Sequence, residues 1–507
     1  MKQYQHSIPG RLVALAAGLA LISGCGGGGV SSNSTPPPPM PQIQNINSST
    51  TPSSPVSLPI EINGSGFQSA PGKVTFTQGN ITMDVTPTTS VWSDTGIVAT
   101  VPTGNGTTTF TVPGTVKVTV TTSGGTSNAI AVNLVPTLSF NPSAMGWSTT
   151  MPLPVPLAGL RAVGVPGANS TSAFAVVTGG YDGAVNTNTV WVNNLNQDGT
   201  VGSSSNIAWS TILTNLLPTT LAHHAMAEAD DTNSLVPVGK RFIYVLGGQV
   251  NATDQGGTNA VYVASMDPTS GALGTWTTLT MPLPQALFGL TATVHNGYLY
   301  VVGGNNTNGV PVNSVYSAVI NADGTLGSWT TSTNNLPTAR GFGTMFVFGG
   351  IIYYIDGDPN PSILPNEQGV GDTNVYYASA TRGAVGAWTQ NGNSTIHNRA
   401  KGILFTAYGQ VISGEGVYSG SVGSGEMETS TINAANTGNL ALDSWNGLTG
   451  SLGQSPKANV YNAGGFTSPL VSTTNAPRFL IIGGQALTGT TGPGGALSTT
   501  VYYNNKP

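Results

Sequence analysis

The sequence predicts an all-β protein, a small β-sandwich followed by a six-fold ring of strand units, on three observations. The first is composition: of 507 residues, 69 are Gly and 34 Pro, while only 14 are basic and 19 acidic. Average chains hold about 7% Gly, 5% Pro and 25% charged residues, so turn-formers are raised and charge is cut to under a third. The second is a recurrence of tryptophan at Trp147, Trp209, Trp276, Trp329, Trp388 and Trp445, each followed by an apolar run that ends in small residues. The third is a set of short alternating apolar runs between residues 41 and 135, punctuated by Gly and Pro. The composition excludes a coiled coil, a helix bundle held by ion pairs, and a nucleic-acid partner, because phosphate contacts need clustered Lys and Arg. Disorder driven by charge is excluded too, since 38% of residues are hydrophobic and the net charge is only −5.

The first element is an export signal. Lys2 and Arg11 flank the apolar run Leu12 to Ile22, whose 11 residues would rise only about 16 Å as a helix against a hydrocarbon core of roughly 30 Å. A cleaved secretory segment fits and a permanent span does not. Leu21-Ile22-Ser23-Gly24-Cys25 resembles the bacterial lipobox. That resemblance implies cleavage after residue 24, lipidation of Cys25, and membrane partnership through the lipid anchor. Gly26 after the cysteine implies, by the same resemblance, an outer membrane lipoprotein of a Gram-negative bacterium, at the cell surface or on the periplasmic face. Cys25 is the only cysteine, so no disulfide is expected and stability rests on packing. Residues 25–40 then read as a tether, flexible where Gly and Ser dominate and extended at Pro36 to Pro39.

The second element is the sandwich, residues 41–135. Ile60-Glu61-Ile62, Val74-Thr75-Phe76, Ile97 to Val101 and Val116 to Val120 alternate with the period of a half-buried strand. Pro41-Gln42-Ile43, the turn Gly64-Ser65-Gly66-Phe67, Trp92-Ser93-Asp94-Thr95, Val101-Pro102 and Gly125-Thr126-Ser127-Asn128 resemble the IPT/TIG family of immunoglobulin-like domains. Some members bind DNA, but Lys73 and Lys117 are the only basic residues in this stretch. A spacer or interaction module is expected instead.

The third element, residues 137–507, is the repeat. The apolar runs end at Gly179-Gly180, Gly247-Gly248, Gly303-Gly304, Asp356-Gly357, Gly414 and Gly483-Gly484. A second strand recurs at Val190-Trp191-Val192, Val261-Tyr262-Val263, Val315-Tyr316-Ser317, Val375-Tyr376-Tyr377 and Val501-Tyr502-Tyr503, with Glu428 to Ile432 as the divergent fifth copy. Units of this kind resemble kelch repeats, which implies a six-bladed β-propeller with one four-stranded blade per unit. The Gly-Gly strand, apolar on both faces, is expected near the central axis, and the tryptophans are expected in the gaps between blades. Trp147 precedes the first Gly-Gly strand and no Trp follows Val501-Tyr502-Tyr503. The last blade should therefore take its outer strand from around Trp147, closing the ring and hiding its edges.

Candidate functional residues lie in the loops after the Gly-Gly strands: Tyr181, Asp182, Gln249, Asn251, Asp254, Asn305, Asn306, Asp358 and Asn360. Amides and carboxylates pair with hydroxyls and a Tyr face covers sugar CH groups, so these loops suit a glycan or protein ligand. Arg161, Arg340 and Arg399 begin first strands and are candidates for a basic rim. Galactose oxidase-like enzymes also join such blades to an immunoglobulin-like domain, but their cofactor needs a Tyr–Cys cross-link, and no cysteine follows Cys25. Adjacent His223 and His224 do not form a chelate, and Glu228, Asp230 and Asp231 read as a solvated acidic turn rather than a calcium site. No cofactor, metal or catalytic residue is expected. The reading is a lipid-anchored binding module; the competing classes are a carbohydrate-active enzyme with its site on the rim and a structural subunit of a surface assembly.

Overall fold

The computed structural model describes residues 37–505 apart from 48–51, 88–91, 105–106, 136–144, 170, 203–208, 212–214, 232–233, 235, 252–255, 361–370, 408, 419–426, 433–440, 449–459, 471–476 and 487–495. The export signal, Cys25, the tether to residue 36 and Asp254 lie outside the described residues. Every element is a strand; no helix among the described residues is long and apolar enough to cross a membrane.

Residues 42–135 build two sheets on one core. Gln42–Ile46, Pro59–Ser65 and Gly96–Thr100 form the smaller sheet. In the larger, Ser53–Pro55, Ile130–Val135, Gly114–Thr122, Lys73–Gln78 and Ile81–Val85 lie side by side. Alternation decides the faces: Val74 and Phe76, then Val116, Val118 and Val120, turn inward, where they meet Ile60 and Ile62 from the other sheet. Trp92 packs edge-on against Phe67 at 6.5 Å, and its Nε1–H donates to the Phe67 carbonyl at 3.1 Å.

The remainder forms six antiparallel blades, five of four strands and one, the fourth, of five, with two small two-stranded sheets beside them. Their first strands are Arg161–Pro166, Ala225–Ala229, Thr291–His295, Thr344–Phe348, Ile403–Ala407 and Gly464–Thr467, which number blades 1 to 6. Each first strand lies against the next, and that of blade 6 lies against that of blade 1, so the blades close a propeller-like ring. Blade 6 closes it in the expected way: Trp147–Thr150 pairs with Val501–Asn504 to supply the outermost strand.

The strand next to the axis is not the Gly-Gly strand. The first strands occupy that place and keep one side half-exposed, whereas the Gly-Gly strands, second from the axis, are buried along their length. A continuous apolar run reports burial on both faces, and the second position in each blade, covered by neighbouring blades, meets that condition. The six seams between blades are the core of the ring. Each holds one of the recurring tryptophans: Trp276 between blades 1 and 2, then Trp329, Trp388, Trp445, Trp147 and Trp209 around to the seam of blades 6 and 1, which also holds Trp191. Large aromatic area placed at the wide outer part of a wedge-shaped gap fills what a shorter side chain would leave open.

The N-terminal sheets rest on one face of the ring. Glu61, 2% exposed, pairs with His295 at the hairpin of blade 3. Arg382 at the outer turn of blade 4 donates to Gln44 Oε1 at 3.3 Å, and Val98 packs into the seam of blades 4 and 5. Gly350 lets the blade 4 hairpin approach, since a Cβ there would stand 3.0 Å from the Glu61 carboxyl carbon. In a meander these hairpins lie opposite the loops that follow the second strands.

Candidate functional site

The face with those loops is organised by two rings of backbone hydrogen bonds. Just before each first strand sits a residue with φ between 54° and 65°: Gly159, His223, Gly289, Phe342, Lys401 and Asn462. Each donates its N–H to the carbonyl of the equivalent residue one blade back, at 2.7–3.1 Å, and Gly159 completes the circle by donating to Asn462. The side chains alternate in size where space requires it. A Cβ on Gly159 would lie 2.9 Å from the His223 ring, and one on Gly289 would lie 2.9 Å from the Phe342 ring. His223 stands edge-on to Phe342 at 5.3 Å, and Lys401 Nζ lies 4.6 Å above the Phe342 face.

Behind this mouth, on the axis, lies a cavity of about 170 Å³ lined by the starts of all six first strands. Its lining residues are mostly small or uncharged, with Ala225, Met226, Leu290, Ala292 and Ile403 among them, the surface they present to it is more polar than apolar, and its one charged lining residue is Arg161. Burial first, and the Lys401 and Arg161 charges after it, hold the His223 imidazole well below its ordinary range. His224 is pushed down to about 3 by burial and then by Arg161, so it stays neutral, with Nε2 2.8 Å from Thr178 Oγ1.

A second ring ties the Gly-Gly turns to the next blade. Gly180, Gly248, Gly304, Gly357, Gly416 and Gly484 donate to the carbonyls of Leu221, Leu287, Arg340, Arg399, Val460 and Leu157. These six glycines have φ of 91–108°, and the residue before each has φ of 56–63°. The first range suits glycine almost alone, whereas the second is the αL well that other residues enter at a cost. Asp356 and Glu415 occupy that well in blades 4 and 5. The fifth turn is thus Glu415-Gly416, two residues beyond the glycine expected from the sequence.

Around these two turns is a buried polar cluster. Arg399 donates from Nη2 to Glu428 Oε1 at 2.7 Å and from Nη1 to the Glu415 carbonyl at 3.0 Å, and its Nε lies 3.7 Å from Asp356 Oδ2. Asp356 also accepts from Thr395 Oγ1 at 2.7 Å and Ser413 Oγ at 3.0 Å. Its carboxyl is pushed up to about 7, by burial and then by Glu428 against the pull of Arg399. Glu415 accepts from the Val460 N–H at 2.9 Å and is pushed up to about 8 by burial. Arg340 donates to Asp372 Oδ2 at 2.6 Å and to the Asp356 carbonyl at 3.1 Å.

Arg340 and Arg399, expected on a basic rim, are therefore inside, at 0% and 1% exposure, where their guanidinium groups satisfy junctions between blades. Arg161 stands apart from them, in the axial cavity. Of the expected loop residues, Gln249, Asn305 and Asp358 are buried. They hold equivalent places after the Gly-Gly turns, where their backbones bridge to Ala222, Phe288 and Gly341, and Tyr181 does the same with Ala158. Tyr181 is half-buried and Asp182, Asn251 and Asn360 are exposed. Asp182 and Asn306 each accept two backbone N–H groups of their own loop, and Asp358 accepts from the Asn360 N–H at 2.8 Å. Asp231 of the acidic turn pairs with Arg241 at 2.7 Å. Among the described residues no group of three His, Cys, Asp or Glu side chains is placed to hold a metal.

No protein-family model matches the chain, and no curated protein matches it. Among solved structures, one described as "Structure of YjhT" is similar over 69% of this chain and 97% of that one, at 15% identity and a TM-score of 0.45.

Proposed function

We propose that the protein is a lipid-anchored surface or periplasmic module whose kelch-type propeller binds a glycan or a protein. The proposed layout is a signal over residues 1–24, a lipidated Cys25 and tether to residue 40, an IPT/TIG-like spacer over 41–135, and the propeller over 137–507. The observation that carries this reading is the two-faced ring. The N-terminal sheets pack against its hairpins through Glu61, Gln44 and Val98, which leaves the loop face with Tyr181, Asp182, Asn251 and Asn360 directed away from them. Polar loops on a rigid scaffold are the common form of a recognition surface, and a face turned from the anchored end is the one that meets ligands.

A glycan array probed with residues 41–507 tests the reading. Retention of a defined glycan without turnover is the expected result. Product formation would favour the carbohydrate-active enzyme, and silence together with a co-purifying protein would favour a structural subunit. Anchoring is tested separately: radiolabelled palmitate should enter the full chain in a bacterial host and should not enter a Cys25→Ser variant.

A further inference from the structure

The axial cavity is lined by one cation, Arg161, that no carboxylate pairs with among the described residues. Six equivalent positions two residues past the mouth ring are occupied by Arg161, Ala225, Thr291, Thr344, Ile403 and Gly464, so one blade alone directs a charge there. A guanidinium has five N–H donors. Arg161 uses one, from Nη1 to the Leu160 carbonyl at 3.0 Å, and it has no ion pair among the described residues. No carboxylate lines the cavity. Burial alone accounts for the guanidinium being lowered to about 10. The hydroxyls of Thr291 and Thr344 are spent on the backbone carbonyls of Val302 and Ile355.

We propose that this cavity is a binding site for a small monocarboxylate with an apolar body, its carboxylate paired with Arg161. A planar carboxylate matches the fork of a guanidinium, which pairs with it through two parallel N–H donors. Met226, Leu290 and Ile403 supply the apolar share of the lining, against which a ring can rest. A dry cavity of about 150 Å³ accommodates a benzene ring, so the 170 Å³ here admits a group of that size. The half-exposed sides of the first strands keep the axis accessible to solvent, which gives the ligand a route in. The site is independent of whatever the loops on the outer face recognise.

Isothermal titration of the full chain with benzoate, and with benzamide as its uncharged isostere, tests the proposal. Benzoate should bind one to one and saturably, while benzamide should bind at least about tenfold more weakly, the loss of one charge-assisted pair. Arg161→Met should abolish the preference for benzoate, and an Arg382→Met control at an exposed arginine should keep it. Ala292→Met narrows the cavity without touching the cation, so it should weaken benzoate even if Arg161→Met folds poorly. Equal affinity for the two compounds, unchanged binding in both cavity variants, or no benzoate binding up to about 10 mM would each overturn the assignment.

Discussion

The two halves of the ring solve the same junction with opposite chemistry. Between blades 6 and 1, 1 and 2, and 2 and 3, a glycine in the αL well faces Leu157, Leu221 or Leu287, and the backbone bonds that join the blades measure 2.7–2.8 Å. In the other half the facing residue is Arg340 or Arg399, or the turn residue is Asp356 or Glu415, and the equivalent bonds measure 2.9–3.1 Å. Geometry alone explains the glycine half, because a Cβ on Gly179 or Gly247 would stand 2.4–2.5 Å from a carbonyl oxygen of the next blade. The charged half accepts a strained backbone and buried ions in exchange for side-chain hydrogen bonds across the same gap. What differs is how each half responds when a single group is removed: aliphatic contacts fail by degrees, whereas a buried charge left alone fails at once.

The largest expected effect breaks the charged half. Arg399→Leu imitates the residue found in the glycine half but strands Glu428 and Asp356, and it should cost about 3–5 kcal/mol in urea unfolding. Adding Asp356→Gly and Glu428→Gln completes the conversion and should recover most of the loss. A triple variant no more stable than the single one would show that the junction is not held by its charges. Next in size is Gly248→Ala. It places a Cβ at φ 105° and 2.8 Å from the His224 Cβ, and strain of this kind costs about 1–3 kcal/mol. Glu415→Gly, at φ 56°, relieves αL strain of up to about 1 kcal/mol but leaves the buried Val460 N–H without its acceptor, a loss of about 1–3 kcal/mol, so it should be net destabilising by about 1–2 kcal/mol. The two substitutions probe the two positions of equivalent turns in blades 2 and 5, and thermal unfolding of both separates Cβ strain from the loss of a side-chain acceptor.

The pH dependence separates the halves without touching the fold. Glu415 rises from an ordinary carboxyl to about 8 and Asp356 to about 7 on folding, so at these two groups the native state binds more protons than the unfolded chain between about pH 4 and 8. Buried, neutral His223 and His224 act in the opposite sense below the ordinary histidine range, so the fall in stability emerges between about pH 6.5 and 8, by up to about 1.4 kcal/mol per pH unit for each proton held. Glu415→Gln should flatten the upper part of that slope, from pH 7 to 8, where Asp356 has already ionised. A variant whose urea midpoints retain the full slope would assign it to other groups.

The repeat was legible because three landmarks recur six times. Period and length place Trp, the Gly-Gly run and the Tyr strand in each unit, and the missing final Trp gives the closure through Trp147. The charged junctions were not legible. Asp356 read as variation in a glycine position, Glu415 fell outside the fifth turn expected at Gly414, and nothing in their local sequence announces that Arg399 and Glu428 lie beside them in space. The same applies to Arg340 and Arg399: an arginine at a strand start reads as surface, and only the tertiary neighbours Asp372 and Glu428 turn it inward. The loop amides Gln249 and Asn305 misled for a related reason, since polarity marks a loop but not which of its residues is pinned by a bridge to the segment that enters the same blade's first strand. Arg161 was visible as a cation; that it alone carries a charge among the six aligned strand starts needed the aligned strands.

The smallest effect on stability is expected farthest from the junctions, at Asp182. Its Oδ1 accepts the Ala184 and Val185 N–H groups at 2.8 and 2.9 Å, and those two bonds lower its carboxyl, Val185 first. The loop is exposed, so Asp182→Asn, which keeps an acceptor, should leave the unfolding midpoint nearly unchanged, within about 0.5 kcal/mol. With a lowered carboxyl the sign is opposite to that of Glu415: whatever Asp182 contributes is present above the ordinary carboxylate range and is lost as pH falls through its native value. A loop that serves recognition should show the reverse ranking in binding, with Asp182→Asn or Tyr181→Phe altering glycan retention while Glu415→Gly leaves it untouched. If the junction variants changed retention and the loop variants did not, the recognition surface would belong to the charged half of the ring rather than to its loops.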